Sequence, residues 1–231
     1  MNSFFFASFQ QGNRRLLLRK WLTARKRYAA ATTLVVRHIL YDFRHNLIDR
    51  YILTNKLSGN FFEKEEDIRP FFRSQLEACG VEYFDYYLCH SISRQYVFQN
   101  LYLNEGVLEY LLEEKRRGRI RQLGFSFHGD LALFEWLLLL PVEWDFVQIQ
   151  MNWLDWRDEV GISEKLYNLL AERELPVIVM EPIRGGSLID LPPSVTTMLR
   201  ENDSTMTAAE WALKFCASYP YVLTVLSGMS R

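Results

Sequence analysis

One strand decides the fold of this chain: Val81-Glu82-Tyr83-Phe84-Asp85-Tyr86-Tyr87-Leu88-Cys89-His90, which follows Gly80. Aromatic residues alternate with small or acidic ones along it, and it ends at a histidine followed by polar Ser91. In a parallel α/β protein, ligands and catalytic groups collect at the carboxyl ends of the strands. His90 is therefore a candidate catalytic residue, since a histidine side chain can exchange a proton near neutral pH. The alternative is a histidine that only hydrogen-bonds its own loop.

Strands and helices alternate on both sides of this stretch. Hydrophobic periodicity predicts six strands, at residues 51–56, 83–89, 120–127, 146–151, 177–180 and 221–226. It predicts five helices, at residues 65–79, 105–117, 130–140, 163–174 and 207–218. We expect Pro70 in the first turn of its helix and Ser163 as a helix cap. Strict alternation at this spacing predicts βαβ units and a parallel sheet.

The glycines decide between the two common parallel folds. None of the eleven glycines forms G-x-G-x-x-G, and G-x-x-x-x-G-K-[ST] is also absent, which argues against a doubly wound nucleotide fold. We therefore predict an α/β (β/α)8 TIM barrel, incomplete, with about six of the eight strands recognisable. Polar groups follow the strands in succession, as a barrel site requires: Lys56, His90, Ser126 with His128, Gln148 with Asn152, Glu181 to Gly186, and Ser227 to Ser230.

Composition indicates a globular protein with one large domain. The chain has 231 residues, of which 49% are hydrophobic and 15% aromatic. The longest apolar run, residues 131–140, contains Glu135 and is too short to span a membrane. The three cysteines form no CxxC pair, which is typical of a reduced, cytoplasmic protein, and no metal-ligand spacing is present. We expect no membrane span and no metal site.

The amino-terminal segment differs from the rest in charge. Eight of the 27 Lys and Arg residues lie in residues 1–40, whereas all 28 acidic residues lie after them. We divide the chain into a basic segment, residues 1–45, and a partial barrel, residues 46–231. The basic segment is either a targeting or tethering arm or a poorly ordered extension, and residues 32–43 could supply a surrogate strand. No nucleic-acid module accompanies it, so we expect no nucleic-acid partner.

Six segments, taken in order, resemble the aldo-keto reductase family from about residue 51 to the end. The similarity is closest to bacterial members with an iron–sulfur-binding tail. The segments are Tyr51-Ile52-Leu53-Thr54-Asn55-Lys56, Phe84-Asp85-Tyr86-Tyr87-Leu88-Cys89-His90, Ile120-Arg121-Gln122-Leu123-Gly124-Phe125-Ser126, Val147-Gln148-Ile149-Gln150-Met151-Asn152, Met180-Glu181-Pro182-Ile183-Arg184-Gly185-Gly186 and Val225-Leu226-Ser227-Gly228-Met229-Ser230.

The resemblance implies an NADPH-dependent oxidoreductase that reduces a small-molecule carbonyl substrate. The family's catalytic set is Asp, Tyr, Lys and His, and Lys56 and His90 match the last two. By resemblance, Ser126 and Gln148 hold the nicotinamide carboxamide. The resemblance further assigns cofactor contacts to two groups of residues: a loop with Glu181, Ile183, Arg184 and Gly185, which passes over the cofactor, and Ser227, Gly228, Met229 and Ser230, which approach its phosphates.

The sequence departs from the family pattern at both ends. Residues 1–50 contain no D-x-x-x-x-Y. Tyr28 lies at a tolerable distance before Lys56, but Thr23 stands where the Asp should be and the surroundings are cationic, so we do not assign Tyr28 as the acid. The chain stops at Arg231, soon after its last predicted strand, so the family's usual adenosine contacts would be missing. Two hypotheses follow: an active aldo-keto reductase, or a catalytically incompetent truncated barrel that serves at most as a cofactor-binding or regulatory module.

Overall fold

The strands form one parallel sheet in chain order. The computed structural model describes residues 52–58, 64–158 and 162–226. The sheet order is β1-β2-β3-β4-β5-β6, and the pairs β3–β4, β4–β5 and β5–β6 are parallel. The strands of the described residues are β1 Thr54–Ser58, β2 Phe84–Ile92, β3 Ile120–Phe127, β4 Phe146–Gln150, β5 Val177–Met180 and β6 Val222–Val225. The predicted α/β class and parallel sheet are confirmed.

Helices lie between the strands. In the described residues these are α1 Glu65–Cys79, α2 Gln95–Phe98, α3 Val107–Arg116, α4 Leu131–Leu139, α5 Ser163–Ala171, α6 Pro193–Asn202 and α7 Ala208–Ala217. A π-helical turn, Gln99–Asn104, follows α2, and a 3₁₀ turn, Arg184–Gly186, follows β5. Helices α2 and α6 were not predicted from the sequence. Over the described ranges, no helix has both the length and the apolar character needed to cross a membrane.

Internal contacts divide the chain into two compact units. Among the described residues, the first unit holds those up to Leu88 together with Gln99–Leu123. The second unit holds Cys89–Phe98 together with the residues from Gly124 onward. Most of the predicted site residues therefore belong to the second unit, whereas Lys56 belongs to the first.

In the first unit, helix α1 packs against strand β2 through aromatic side chains. The helix begins where the Asp67 carboxylate accepts a hydrogen bond from the Lys64 N–H at 3.3 Å, and it ends at Gly80, whose φ of 63° is left-handed. Phe72 on α1 is fully buried and meets the ring of Tyr87 on β2 edge-to-face at 5.2 Å between centroids. Pro70 is the sixth residue of α1, so the prediction that it lies in the first turn was wrong.

In the second unit, the register of β3 against β4 depends on a glycine. Gly124 pairs with Phe146, and a Cβ at position 124 would lie 2.3 Å from the Phe146 carbonyl oxygen. The strands can approach this closely only because residue 124 has no side chain. Strand β5 is buried from Val177 to Val179, as expected of a parallel strand covered on both faces.

An aromatic cluster fixes the segment that follows β4. Trp156 in that segment contacts Tyr167 of α5, Phe215 of α7 and Tyr219, with ring centroids at 5.8, 5.7 and 4.5 Å. Its indole N–H donates to a Glu164 carboxylate oxygen at 3.1 Å. These contacts hold the Trp156 side chain in one orientation. They also fix the position of the preceding residue, Asp155.

Candidate functional site

Two residues that were predicted to bind the cofactor are neighbours across the sheet. Ser126 on β3 and Gln148 on β4 are register partners, so their side chains emerge on the same face. Ser126 is fully buried; Gln148 is half-buried and its side-chain amide donates to the Met180 sulfur at 3.2 Å. The carboxyl ends of β3 and β4 therefore place a hydroxyl and an amide side by side. Such a pair can hydrogen-bond a planar amide group.

The Ser126 hydroxyl also fixes the backbone next to His90. Its Oγ accepts a hydrogen bond from the Ser91 N–H at 2.7 Å, and the His128 N–H donates to the Ile92 carbonyl at 2.8 Å. Ser91 has a φ of 60°, which costs a residue with a side chain about 1 kcal/mol or more. A hydroxyl that accepts one hydrogen bond still has a proton that it can donate to another group.

Lys56 lies on a strand that side chains hold from two directions. The Lys56 carbonyl accepts from the Gln75 side-chain amide at 3.1 Å, and the Gln75 Oε1 accepts from the Tyr87 hydroxyl at 2.7 Å. The next carbonyl, of Leu57, accepts from the Tyr102 hydroxyl at 3.0 Å. Burial lowers the pKa of the Lys56 ammonium below its ordinary value of 10.5, because partial loss of water disfavours the charged form.

The turn after β5 has an unusual backbone. Glu181 and Arg184 have φ values of 55° and 48°, and Gly185 and Gly186 have φ values of 62° and 98°. The two non-glycine residues cost about 1–3 kcal/mol each in this conformation, so surrounding contacts must hold them. A Cβ at Gly186 would meet nothing within 4 Å, and the Arg184 side chain is 47% exposed. The turn thus presents open glycine backbone and an accessible guanidinium group.

The buried carboxylate of Asp155 contacts this turn through Arg184. Asp155 is only 4% exposed, and its Oδ1 lies 3.1 Å from the Arg184 Nε. Its Oδ2 accepts hydrogen bonds from the Asn152 side-chain amide at 2.8 Å and from the Gln150 side-chain amide at 3.3 Å. Asn152 also donates to the Glu181 carbonyl at 3.3 Å. The segment after β4 is therefore tied to the turn after β5 at two points.

A cavity of about 250 Å³ lies at the carboxyl ends of β3, β4 and β5. Its lining carries both signs of charge, from two carboxylates and a guanidinium, together with a histidine and an amide. The lining residues are Phe127, His128, Gly129, Gln150, Asp155, Asp158, Ile162, Leu166 and Arg184. A polar ligand group of a few atoms fits this volume and lining.

The structure places part of the predicted site and leaves part undescribed. It places Ser126 beside Gln148, and it places Glu181, Ile183, Arg184 and Gly185 in one turn. It places Lys56 on β1 and His90 on β2, in the two different compact units, so their joint action stays a prediction. The remaining predicted positions lie outside the described residues: Ser227, Gly228, Met229, Ser230 and the segment 32–43.

Asp155 and Gln150 were not predicted from the sequence as site residues. Asp155 is the third residue after Asn152, and Asn152 Oδ1 accepts from the backbone N–H groups of Leu154 and Asp155 at 3.1 and 2.9 Å. An Asn-x-x-Asp sequence directly after a predicted strand was the available signal, since Asn favours such local turns. Its partner Arg184, far along the chain, gave no local signal.

The chain matches one protein family over most of its length. Residues 26–231 match the family model described as "Aldo/keto reductase family". The match therefore begins within the basic amino-terminal segment, residues 1–45. No individual curated protein matches the chain significantly.

Solved structures of aldo-keto reductases have similar folds. A Klebsiella pneumoniae aldo/keto reductase in complex with NADP and acetate is 20% identical, with a TM-score of 0.65; the match covers 87% of this chain and 67% of that one. A Klebsiella pneumoniae aldo-keto reductase in complex with NADPH is 20% identical, with a TM-score of 0.66; the match covers 87% of this chain and 68% of that one. The holo form of a Bacillus halodurans aldo-keto reductase is 23% identical, with a TM-score of 0.64; the match covers 84% of this chain and 67% of that one.

These likenesses show the fold. The chain spans about two thirds of the length of those structures. Six parallel strands with intervening helices correspond to part of a (β/α)8 barrel, so the described residues form an incomplete barrel, as predicted. The finer assignment to members with an iron–sulfur-binding tail stays a prediction.

Proposed function

The chain belongs to the aldo/keto reductase family, and from this premise we propose that it transfers hydride between NADPH and a small-molecule carbonyl compound. One observation carries the proposal: the parallel register puts Ser126 beside Gln148, next to the turn that follows His90. The two side chains that the family resemblance assigns to the nicotinamide are thus adjacent. Two of the similar structures are complexes with NADP and with NADPH, which supports the same cofactor here.

The residues present fit this cofactor. Ser126 and Gln148 supply a hydroxyl and a side-chain amide, which complement the acceptor and donors of a carboxamide. The turn after β5 supplies the exposed guanidinium of Arg184 and the open backbone of Gly186, both suited to phosphate. When bound, NADPH supplies the hydride. We place the protein in the cytoplasm, where this cofactor and reduced thiols both occur, and the buried free cysteines of the described residues fit that setting.

We assign the polar chemistry to Lys56 and His90. A carbonyl that accepts hydride at carbon develops negative charge on oxygen, which needs hydrogen-bond donors and a proton. The His90 imidazole would orient that oxygen. The Lys56 ammonium, partly dehydrated by burial, would stabilise the charge more strongly than an exposed ammonium could. The proton donor used by the family is a tyrosine, and we assign no tyrosine of this chain to that role, because Thr23 stands where the partner Asp of Tyr28 should be.

The second hypothesis, a cofactor-binding module without turnover, rests on the sequence itself. Residues 1–50 contain no D-x-x-x-x-Y, the spacing of the Asp and Tyr in the family's catalytic set. Loss of a general acid would lower the rate by about 10²–10⁴ and leave cofactor contacts largely in place. Binding and turnover must therefore be measured separately.

The test follows NADPH oxidation with a simple aldehyde, alongside NADPH binding. For the full-length protein we expect saturable binding and measurable turnover. Lys56→Met and His90→Asn should each lower kcat by about 10²–10⁴ and change the NADPH Kd little. Lys165→Met, which removes an exposed lysine on α5, is the matched control and should keep full activity.

The outcomes separate the hypotheses. Binding without turnover at any aldehyde concentration would favour the cofactor-binding module. Absence of saturable NADPH binding would contradict both the reductase and the cofactor-binding module, and would leave only the regulatory module.

A further inference from the structure

Asp155 is a buried charge that supports the turn after β5. At 4% exposure its carboxylate is stable as an anion only if donors surround it. Three do: the Asn152 amide at 2.8 Å, the Gln150 amide at 3.3 Å and the Arg184 Nε at 3.1 Å. Two of these donors come from the end of β4 and the segment that follows it, whereas Arg184 comes from the turn after β5. One of the two carboxylate oxygens, Oδ1, therefore contacts that turn.

The turn needs such support because its backbone is strained. Glu181 and Arg184 both have left-handed φ values, which residues with side chains rarely adopt. Asn152, which is hydrogen-bonded to Asp155, donates to the Glu181 carbonyl at 3.3 Å. The Asp155 ion pair holds the Arg184 side chain. The two strained positions are thus the two positions that the Asn152–Asp155 pair contacts.

The same contacts decide where a positive charge lies. The Arg184 side chain is 47% exposed and long, so without Asp155 its guanidinium would sample many positions in water. The ion pair engages Nε and leaves the guanidinium at the rim of the cavity that Arg184 helps to line. An anionic group entering from solvent then meets a guanidinium group that is already in place, and binding pays less ordering entropy.

We propose that Asp155 is a positioning residue that fixes the turn after β5 and the Arg184 guanidinium for the diphosphate of the cofactor. The part of this inference that concerns the diphosphate rests on the proposed function. The part that concerns the turn does not. Asp155 acts through Arg184 and Asn152 and does not itself touch the cofactor.

The first test is a double-mutant cycle for NADPH binding, measured by tryptophan fluorescence on the full-length protein. The variants are Asp155→Asn, Arg184→Gln and the combination of the two. Each single change should raise the NADPH Kd on the order of tenfold, and the combination should raise it no further than the larger single effect. Asp190→Asn, an exposed site four residues after the turn, removes the same charge and should leave the Kd unchanged.

The second test needs no cofactor. Trypsin cleaves after arginine, and the exposed Arg184 and Arg200 give an internal comparison. Asp155→Asn should speed cleavage after Arg184 at least tenfold and leave cleavage after Arg200, on α6, unchanged; Asp190→Asn should change neither rate. This readout decides the positioning role even if the wild-type protein binds no NADPH, an outcome that would refute the proposed function instead.

Three results would overturn the inference. The first is an unchanged cleavage rate after Arg184 in Asp155→Asn. The second is an equal rise after Arg184 and Arg200, which would show that Asp155 only stabilises the fold. The third, in a wild-type protein that binds NADPH, is a combined variant whose loss of affinity is the product of the two single losses.

Discussion

Replacement of Gly124 by alanine tests the register on which the candidate site depends. The added Cβ would lie 2.3 Å from the Phe146 carbonyl oxygen and 2.8 Å from two atoms of the Phe146 ring. A carbon and an oxygen normally approach to about 3.3 Å, so the strands would have to separate by about 1 Å. Phe146 is fully buried and cannot yield by moving into solvent. We expect the free energy of unfolding to fall by about 3 kcal/mol, at the upper end of overpacking effects.

Gly129→Ala is the matched control. Its added Cβ would lie 2.7 Å from a terminal methyl of Leu133 and 3.0 Å from the Phe127 ring, and side-chain ends move more readily than backbone. We expect a loss of about 1 kcal/mol. Urea unfolding followed by tryptophan fluorescence suits both variants, since five of the six tryptophans lie after residue 123 in the second compact unit. Equal losses, or a larger loss for Gly129→Ala, would refute the register and with it the adjacency of Ser126 and Gln148.

Two further predictions concern single side chains. Ser126→Ala removes the acceptor of the Ser91 N–H and should lower the free energy of unfolding by about 1–2 kcal/mol in urea titrations, while Ser126→Thr, which keeps the hydroxyl, should restore the NADPH affinity that Ser126→Ala loses. An NADPH affinity unaffected by Ser126→Ala would argue against a nicotinamide contact. Burial lowers the pKa of Lys56, so between that pKa and the ordinary value of 10.5 the unfolded chain binds more protons than the folded one, and stability should rise with pH in that window. As the pH approaches 10.5, the urea concentration at the unfolding midpoint should increase in the wild type and increase less in Lys56→Met. An identical pH dependence of the two midpoints would contradict the burial of this ammonium.

Local sequence patterns predicted the elements that carry strong end signals. The helix Glu65–Cys79 and the strands Ile120–Phe127 and Val177–Met180 have the predicted bounds. A left-handed glycine directly follows the helix, and the strand Val177–Met180 is a short β-branched run followed by a proline-containing turn. Local chemistry was enough where one short segment contained both the element and its boundary.

Two errors show where local chemistry was not enough. Ser163 was predicted to cap α5, but it is the first residue of the helix, and its hydroxyl donates to the Gln150 carbonyl at 2.9 Å. A contact thirteen positions away in sequence thus determined its role. Helix α6 was not predicted; it begins at Pro193, and proline is well tolerated at the first position of a helix.

The candidate site was predictable in its strand-end residues and not in the residues that support them. Ser126 and Gln148 follow from the ends of two predicted strands, and the sheet makes them neighbours. Asp155 depends on a partner 29 positions later, Arg184, and on a strained backbone that periodicity does not reveal. Supporting contacts of this kind are long-range, so they become visible only in three dimensions.

NADPH titration of the full-length protein, followed by quenching of its tryptophan fluorescence, tests the central claim most directly. The claim is that the adjacent Ser126 and Gln148 side chains still form a nicotinamide site in an incomplete barrel. We predict saturable quenching in the wild type and a Kd raised on the order of tenfold by Gln148→Ala, which removes hydrogen bonds to the carboxamide. Quenching that fails to saturate, or an affinity unchanged by Gln148→Ala, would contradict it.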